Sequence, residues 1–285
     1  MTKTKLLAVW WIDCLIWSSV WLFIKIGVTD VPPFTFAGLR LAIAVVVLAP
    51  FVRRITLSKR EWMILAITGL ILLGVNYALV FWGAQFIPSG LAAVLQAFQP
   101  AFGLLFASWI SHQRITPMRI AAVILGVIGV AAIFANQLRV TGTQALLGSI
   151  TVTLGGACVA FAYVFVKQHL NYVPPTVLLV GQMSIASIAL LIAGQLIEGP
   201  VHWTTRSLIA LVYLALAGSV AGFWLNYWLL KRTDASSILA MSIVEPLIAV
   251  ALGAVILHEK LPAGAWIGAV CILASIWMLV VRAEH

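Results

Sequence analysis

The chain has 285 residues, 63% hydrophobic and 9% charged, whereas a soluble domain is roughly 45–50% apolar and about 25% charged. The apolar residues fall in runs of about twenty with the charges gathered between them, the pattern of membrane-spanning helices. A soluble globule is excluded, and the net charge of +9 is read through where the cations sit rather than as a nucleic-acid footprint.

In chain order the predicted spans cover roughly 6–27, 34–52, 62–85, 89–110, 117–136, 146–166, 176–197, 206–230, 235–257 and 263–281. The connectors are far shorter than the ~50 residues of a separate domain, so function must reside between the helices. The first run follows Lys3 and Lys5, carries Asp13 and lacks a small-residue exit site, so it reads as a retained span rather than a cleaved leader. Trp10 and Trp11 read as interfacial anchors. Asp13, Trp17, Trp21 and Lys25 recur every four residues and share one face. Trp17 lies near mid-depth, where its indole serves either as a wall for a ligand or as core packing. Arg40, roughly 9 Å below the outer surface by helical rise, either holds a carboxylate or snorkels to the interface. Cys14, Cys158 and Cys271 fall inside spans and read as buried hydrophobes.

With the N-terminus placed in the cytoplasm, one side of the membrane holds Lys3, Lys5, Arg53, Arg54, Lys59, Arg60, Arg114, Arg119, Lys167, Lys231, Arg232 and Arg282. The other side holds only Lys25, Arg139, Arg206 and Lys260. Cytoplasmic loops are enriched in Lys and Arg, so both termini are expected in the cytoplasm of a multi-pass protein of the inner (plasma) membrane.

The chain repeats itself. Phe23-x-Lys25 and Val31-Pro32-Pro33 recur after 142 residues as Phe165-x-Lys167 and Val173-Pro174-Pro175. Pro100 and His112-Gln113-Arg114 recur after 146 residues as Pro246 and His258-Glu259-Lys260. The predicted fold is an all-α integral membrane protein of ten transmembrane helices, arranged as repeats 1–140 and 141–285. Five spans is an odd number, so the second repeat enters the membrane inverted. Inverted repeats characterise secondary transporters, whose central site lies at the repeat interface.

Proline-interrupted spans at matching positions point to that site. Pro100 and Pro246 lie about 16 Å into their helices and displace the carbonyls of Gln96 and Ser242. They serve as hinges or as packing kinks. Glu245 is the costliest residue, at least about 2.5–3.5 kcal/mol near the bilayer centre. It is a proton or ammonium site, or a structural hydrogen bond, and its repeat partner is the neutral Gln99. Tyr163 matches Trp21, and Phe223 matches Tyr77, whose neighbour is Asn76. The candidate substrate residues are therefore Trp17, Trp21, Asn76, Tyr77, Gln96, Gln99, Tyr163, Ser242 and Glu245, with Pro100 and Pro246 as hinges. Gly218, Ser219 and Gly222 read as close-packing positions. His112 and His258 read as solvated loop residues. Nucleotide, hydrolase and metal signatures are missing, so no cofactor or metal is expected, nor an enzyme.

Trp17-Ser18-Ser19, Lys25, Pro32-Pro33, Arg40, Ser89 to Pro100 and His112-Gln113-Arg114, with the second copy Ala235-Ser236, Glu245-Pro246 and His258-Glu259-Lys260, resemble the EamA repeat of the drug/metabolite transporter superfamily. Gln113 departs from the acidic residue usual there. Within the superfamily the Trp-rich chain looks most like the YddG-type exporters of aromatic and other amino acids. The resemblance implies a secondary exporter of small zwitterionic metabolites working by alternating access, with helices 1, 3, 4, 6, 8 and 9 around a central cavity. Its partners are amino acids and the lipid bilayer, no nucleic acid is implied, and no oligomer is required. Export down a substrate gradient and proton antiport both stand as couplings. The rival readings are efflux of drugs or cationic amphiphiles, a membrane-embedded enzyme acting on lipid-linked substrates, and a structural subunit.

Overall fold

The computed structural model describes residues 3–52, 56–111, 116–230, 232 and 235–281. Arg53, Arg54, His112, Gln113, Arg114, Lys231 and Arg282, on which part of the sequence reading rests, lie outside the described residues.

Every regular element among the described residues is helical, as lipid demands of a backbone that must pair its own polar groups. The helices are α1 (Lys3–Asp30), α2 (Pro33–Leu48), α3 (Lys59–Ala84), α4 (Ser89–Gln96 and Gln99–Ser111), α5 (Pro117–Val140), α6 (Thr143–His169), α7 (Pro175–Ile197), α8 (Thr205–Tyr213, Leu214–Ala221 and Gly222–Leu230), α9 (Ala235–Ile256) and α10 (Ala263–Val281). Eight are long and apolar enough to cross a membrane, while α9 and α10 contribute the shorter apolar stretches Met241–Ile256 and Ala263–Leu279. At about 1.5 Å per residue, the full 22 and 19 residues of α9 and α10 still match a hydrocarbon core of about 30 Å.

Local chemistry sets the ends. Pro33 and Pro175 open α2 and α7, where proline loses no hydrogen bond and its φ is already helical. Ser58 and Glu61 form a reciprocal capping box at α3, and Thr204 and Ser207 do the same at α8.

The two halves interlock: α2 packs on α7, α4 on α9 and α5 on α10, while α3 packs on α6 and α1 on α8. Small residues permit the closest approaches. At the α5/α10 crossing a Cβ on Gly268 would lie 2.5 Å from the Gly129 carbonyl, and one on Gly129 would lie 2.7 Å from the Gly268 carbonyl.

Three departures from regular helix sit near mid-membrane. The first is π-helical Leu70–Val75 in α3, and the second is π-helical Leu214–Ala221 in α8. The 146-residue repeat shift carries 70–75 onto 216–221, so both halves hold the same wide turn. Such turns shift the register of the following helix and are frequent at functional sites. The third is the break in α4 at Ala97 and Phe98. The helix restarts at Gln99, which puts Pro100 in the first turn, where its missing N–H goes unneeded. Pro246 differs, because α9 runs through it unbroken.

Candidate functional site

A cavity of about 640 Å³ occupies the middle of the bundle. Trp17 and Trp21 from α1, Asn76 and Tyr77 from α3, and Gln96, Gln99 and Pro100 around the break in α4 all line it. So do Tyr163 from α6 and Ser242, Glu245 and Pro246 from α9. The structure therefore brings every sequence-selected site residue to one space. It also enlarges the expected helix set: α2 enters through Arg40, and α7 through Leu178, Leu179 and Gln182. The π-helical turns account for this, since that of α3 packs against α7 and that of α8 against α2.

The acidic side of the cavity is built from α1, α8 and α9. Glu245 Oε1 accepts a hydrogen bond from Trp21 Nε1 at 3.1 Å. Asp13 is fully buried, and its Oδ2 accepts from Asn226 Nδ2 at 3.4 Å while Oδ1 has no partner. No salt bridge reaches either carboxylate among the described residues. Trp17 lies beside Asp13, with its N–H in no closed hydrogen bond, and meets Phe223 edge-on, ring centres 5.2 Å apart. Asn76 Oδ1 and Gln96 Oε1 are also buried without partners, and they lie against Gly155 and Gly156 of α6.

Arg40 brings a positive charge to the same cavity. It is 1% exposed, so it does not snorkel to the interface. Its Nε donates to Ser219 Oγ at 2.9 Å, and its guanidinium carbon lies 5.1 Å from the Tyr77 ring centre. Gly218 leaves room for it, since a Cβ there would come within 3.0 Å of Nη2. Gly218 and Ser219 thus seat a cation as well as thin the helix. The repeat partner Gln182 is buried and donates to Thr68 Oγ1 at 3.0 Å.

The cavity is sealed on the side opposite the N-terminus. Lys25 Nζ donates to the carbonyls of Ala84, Gln85 and Ile87 at 2.8, 2.9 and 3.0 Å, spending all three of its protons on the end of α3. Glu259 grips the start of α4, accepting from Ser89 N at 2.9 Å and Ser89 Oγ at 2.7 Å. A carboxylate at a helix N-terminus satisfies free N–H groups and complements the helix dipole. His258 does structural work here: at φ 55 it turns the chain at the end of α9, and Glu259 N closes onto the Gly253 carbonyl at 3.1 Å. Gly253 clears the space, because a Cβ would strike the Glu259 carboxylate. On the same side Glu198 caps α2 through Phe34 N at 2.6 Å and Thr35 N at 2.8 Å.

The side bearing the N-terminus is open. There Lys59–Gly69 packs on α6 and α7, and Gln99–Ser111 packs on α6, whereas α1, Gly222–Leu230 and α9 pack on one another. The two groups meet at the far end, where Asn76–Ala84 and Ser89–Gln96 touch α1. Tyr163, on the wall between them, is 47% exposed.

Sequence reasoning put Lys25 at the end of the first span with no partner, left Glu198 and Glu259 between spans, and left Arg40 undecided. The one available signal was the pairing of Glu259 with an unlike repeat partner, Gln113.

The EamA-like transporter family matches residues 6–135 and again residues 146–281. The chain is 26% identical over 270 residues to "Uncharacterized transporter YoaV" of Bacillus subtilis (strain 168), covering 93% of this chain and 92% of that one. It is 27% identical to the "Probable amino-acid metabolite efflux pump" of Salmonella typhimurium, covering 93% and 91%. A solved crystal structure, 18% identical, superposes with a TM-score of 0.66 over 100% of both chains and shares the fold. With two family matches laid along ten membrane helices, the chain belongs to the EamA-like transporter family, in the drug/metabolite transporter superfamily, and is a membrane transporter rather than an enzyme.

Proposed function

We propose that the protein exports small zwitterionic metabolites, amino acids and aromatic ones foremost, in the manner of the YddG-type exporters. The observation that carries this reading is a single cavity, walled by Trp17, Trp21, Tyr77 and Tyr163, open on one side of the membrane and latched on the other. Its acid at Glu245 suits an ammonium, and its indole and phenol faces suit an aromatic side chain. The name of the Salmonella relative supports the same class.

In this reading the termini lie in the cytoplasm of an inner-membrane protein, so the open cavity is inward-facing and loads from the cell interior. The halves 1–140 and 141–285 rock about Pro100 and Pro246, releasing the far-side latch and closing the near side. Export down a substrate gradient is the preferred coupling, because the spans offer only two acids and no mid-span histidine for a proton relay. A second reading, proton-driven efflux of cationic amphiphiles, draws on the neighbouring Asp13 and Glu245.

The test is counterflow of labelled tryptophan into liposomes holding the purified protein and excess unlabelled tryptophan, without an ion gradient. Saturable accumulation that falls in Trp17→Ala is expected. No accumulation by folded protein would overturn the amino-acid reading in favour of efflux or obligatory ion coupling.

A further inference from the structure

We infer that Arg40 is the subsite for the substrate's carboxylate, which restricts the substrate class to small acids and zwitterions and rejects amines of the same shape. This rests on the proposed export of zwitterions and adds a named recognition group to it.

The argument begins with cost. An arginine stays charged in any protein, and a charge near mid-membrane is retained where it meets a partner or water. Arg40 is buried, yet its one hydrogen bond among the described residues runs from Nε to Ser219 Oγ. Of five donors, that leaves the four on the two terminal nitrogens. The guanidinium sits over the Tyr77 ring, and among the described residues no carboxylate pairs with it. The aromatic faces of Tyr77 and Phe81, at 5.1 and 5.9 Å, soften the burial of the charge but accept none of those protons in the plane of the fork.

Position makes the donors usable. Arg40 lines the same cavity as Glu245. Its head reaches Gly218 and Ser219, about 20 Å along α8 from Thr205, and Glu245 lies about 16 Å along α9 from Ile256 at 1.5 Å per residue. Both helices are measured from the sealed side, so cation and acid line the cavity at similar depth, one carried by α2 and the other by α9. A planar fork fixed at Nε presents its terminal nitrogens to two carboxylate oxygens. The mid-membrane carboxylates do not compete: Glu245 is held by Trp21 and Asp13 by Asn226. The π-helical turn of α8 serves this subsite, because it delivers Ser219 to Nε and Gly218 to the space around Nη2.

The experiment compares three competitors of labelled-tryptophan counterflow: tryptophan, indole-3-propionate, which keeps the carboxylate and lacks the ammonium, and tryptamine, which is the reverse. In the unmodified protein tryptophan and indole-3-propionate should compete, with tryptamine at least about tenfold weaker, the range of a charge-assisted contact. In Arg40→Met, an apolar replacement of similar bulk that a buried site tolerates well, the half-saturating tryptophan concentration should rise at least about tenfold and the preference over tryptamine should vanish. Arg40→Lys should restore part of both, because a point charge replaces a fork. Unchanged discrimination in folded Arg40→Met, read beside an unchanged thermal midpoint, would overturn the inference while leaving the export reading intact. Absence of tryptophan counterflow in the unmodified protein would overturn the export reading, and this subsite with it.

Discussion

Glu259→Gln should unlatch the sealed side. The carboxylate accepts from Ser89 N and Ser89 Oγ at 2.9 and 2.7 Å, in a partly buried setting at the first turn of α4. Hydrogen bonds to a charged group contribute about 1.5–3 kcal/mol. The amide keeps one acceptor but loses the charge and its interaction with the helix dipole, itself about 0.3–1 kcal/mol. Partial exposure puts the net effect near the low end, about 1.5 kcal/mol, or about a tenfold shift away from the sealed state. A reporter cysteine, Ile24→Cys, sits on the cavity wall just inside Lys25 and is 3% exposed. With Cys14, Cys158 and Cys271 replaced, its labelling by a membrane-impermeant maleimide is measured from the side opposite the N-terminus. The rate should rise about tenfold in Glu259→Gln, and in the same direction in Gly253→Ala, whose Cβ would push the carboxylate off Ser89. An unchanged rate in both, with a control cysteine at exposed Trp203 labelling normally, would refute the latch.

Three further outcomes follow from the geometry. Pro100→Ala should heal the break in α4, and Pro246→Ala should stiffen α9, each slowing counterflow without blocking insertion; unchanged rates in both would remove the kinks from the cycle. Under the uncoupled reading an imposed pH gradient should have no effect on tryptophan counterflow by the unmodified protein or by Glu245→Gln, whose counterflow is weakened by loss of the acid that suits the ammonium. A gradient that drives the unmodified protein but not Glu245→Gln would establish proton coupling instead. Gly268→Ala should lower the thermal midpoint in detergent by a destabilisation of about 1–3 kcal/mol, because its Cβ would lie 2.5 Å from a backbone oxygen. A midpoint equal to that of the unmodified protein would show that α5 and α10 slide apart freely.

The spans were legible because hydropathy is a bulk property: predicted 62–85 becomes Lys59–Ala84, and predicted 235–257 becomes Ala235–Ile256. The cavity residues were legible for a related reason. Polar and aromatic groups at mid-depth need a wet or polar face, and the bundle's interior is where they find it. The π-helical turns were not legible, since a change from i→i+4 to i→i+5 pairing leaves no compositional mark in Leu70–Val75. Arg40 was undecided because hydropathy around α2 is similar on all sides, so the inward face had to come from packing. The caps were invisible for a different reason. Glu198 and Glu259 act on residues 163 and 170 positions away, and only the folded chain brings them together.

The repeat is closer in backbone than in chemistry, and that difference gives the protein a preferred resting state. Wide turns occur at matching places in α3 and α8, prolines at 100 and 246, and Lys25 is matched by Lys167. Two such halves can trade conformations. The charged groups, however, are single: Arg40 answers to Gln182, Glu245 to Gln99 and Glu259 to Gln113. Lys25 is spent on three carbonyls, whereas Lys167 is exposed and makes no hydrogen bond among the described residues. If the proposed cycle exchanges these roles, Lys167 would grip the end of α8 in the opposite state, and the sequence offers the neutral Gln113 as the repeat counterpart of Glu259. A charged cap on one side and a neutral one on the other makes the two closures unequal by about the 1.5 kcal/mol of a charge-assisted bond. The inequality favours the state seen here, with the cavity open towards the N-terminal side.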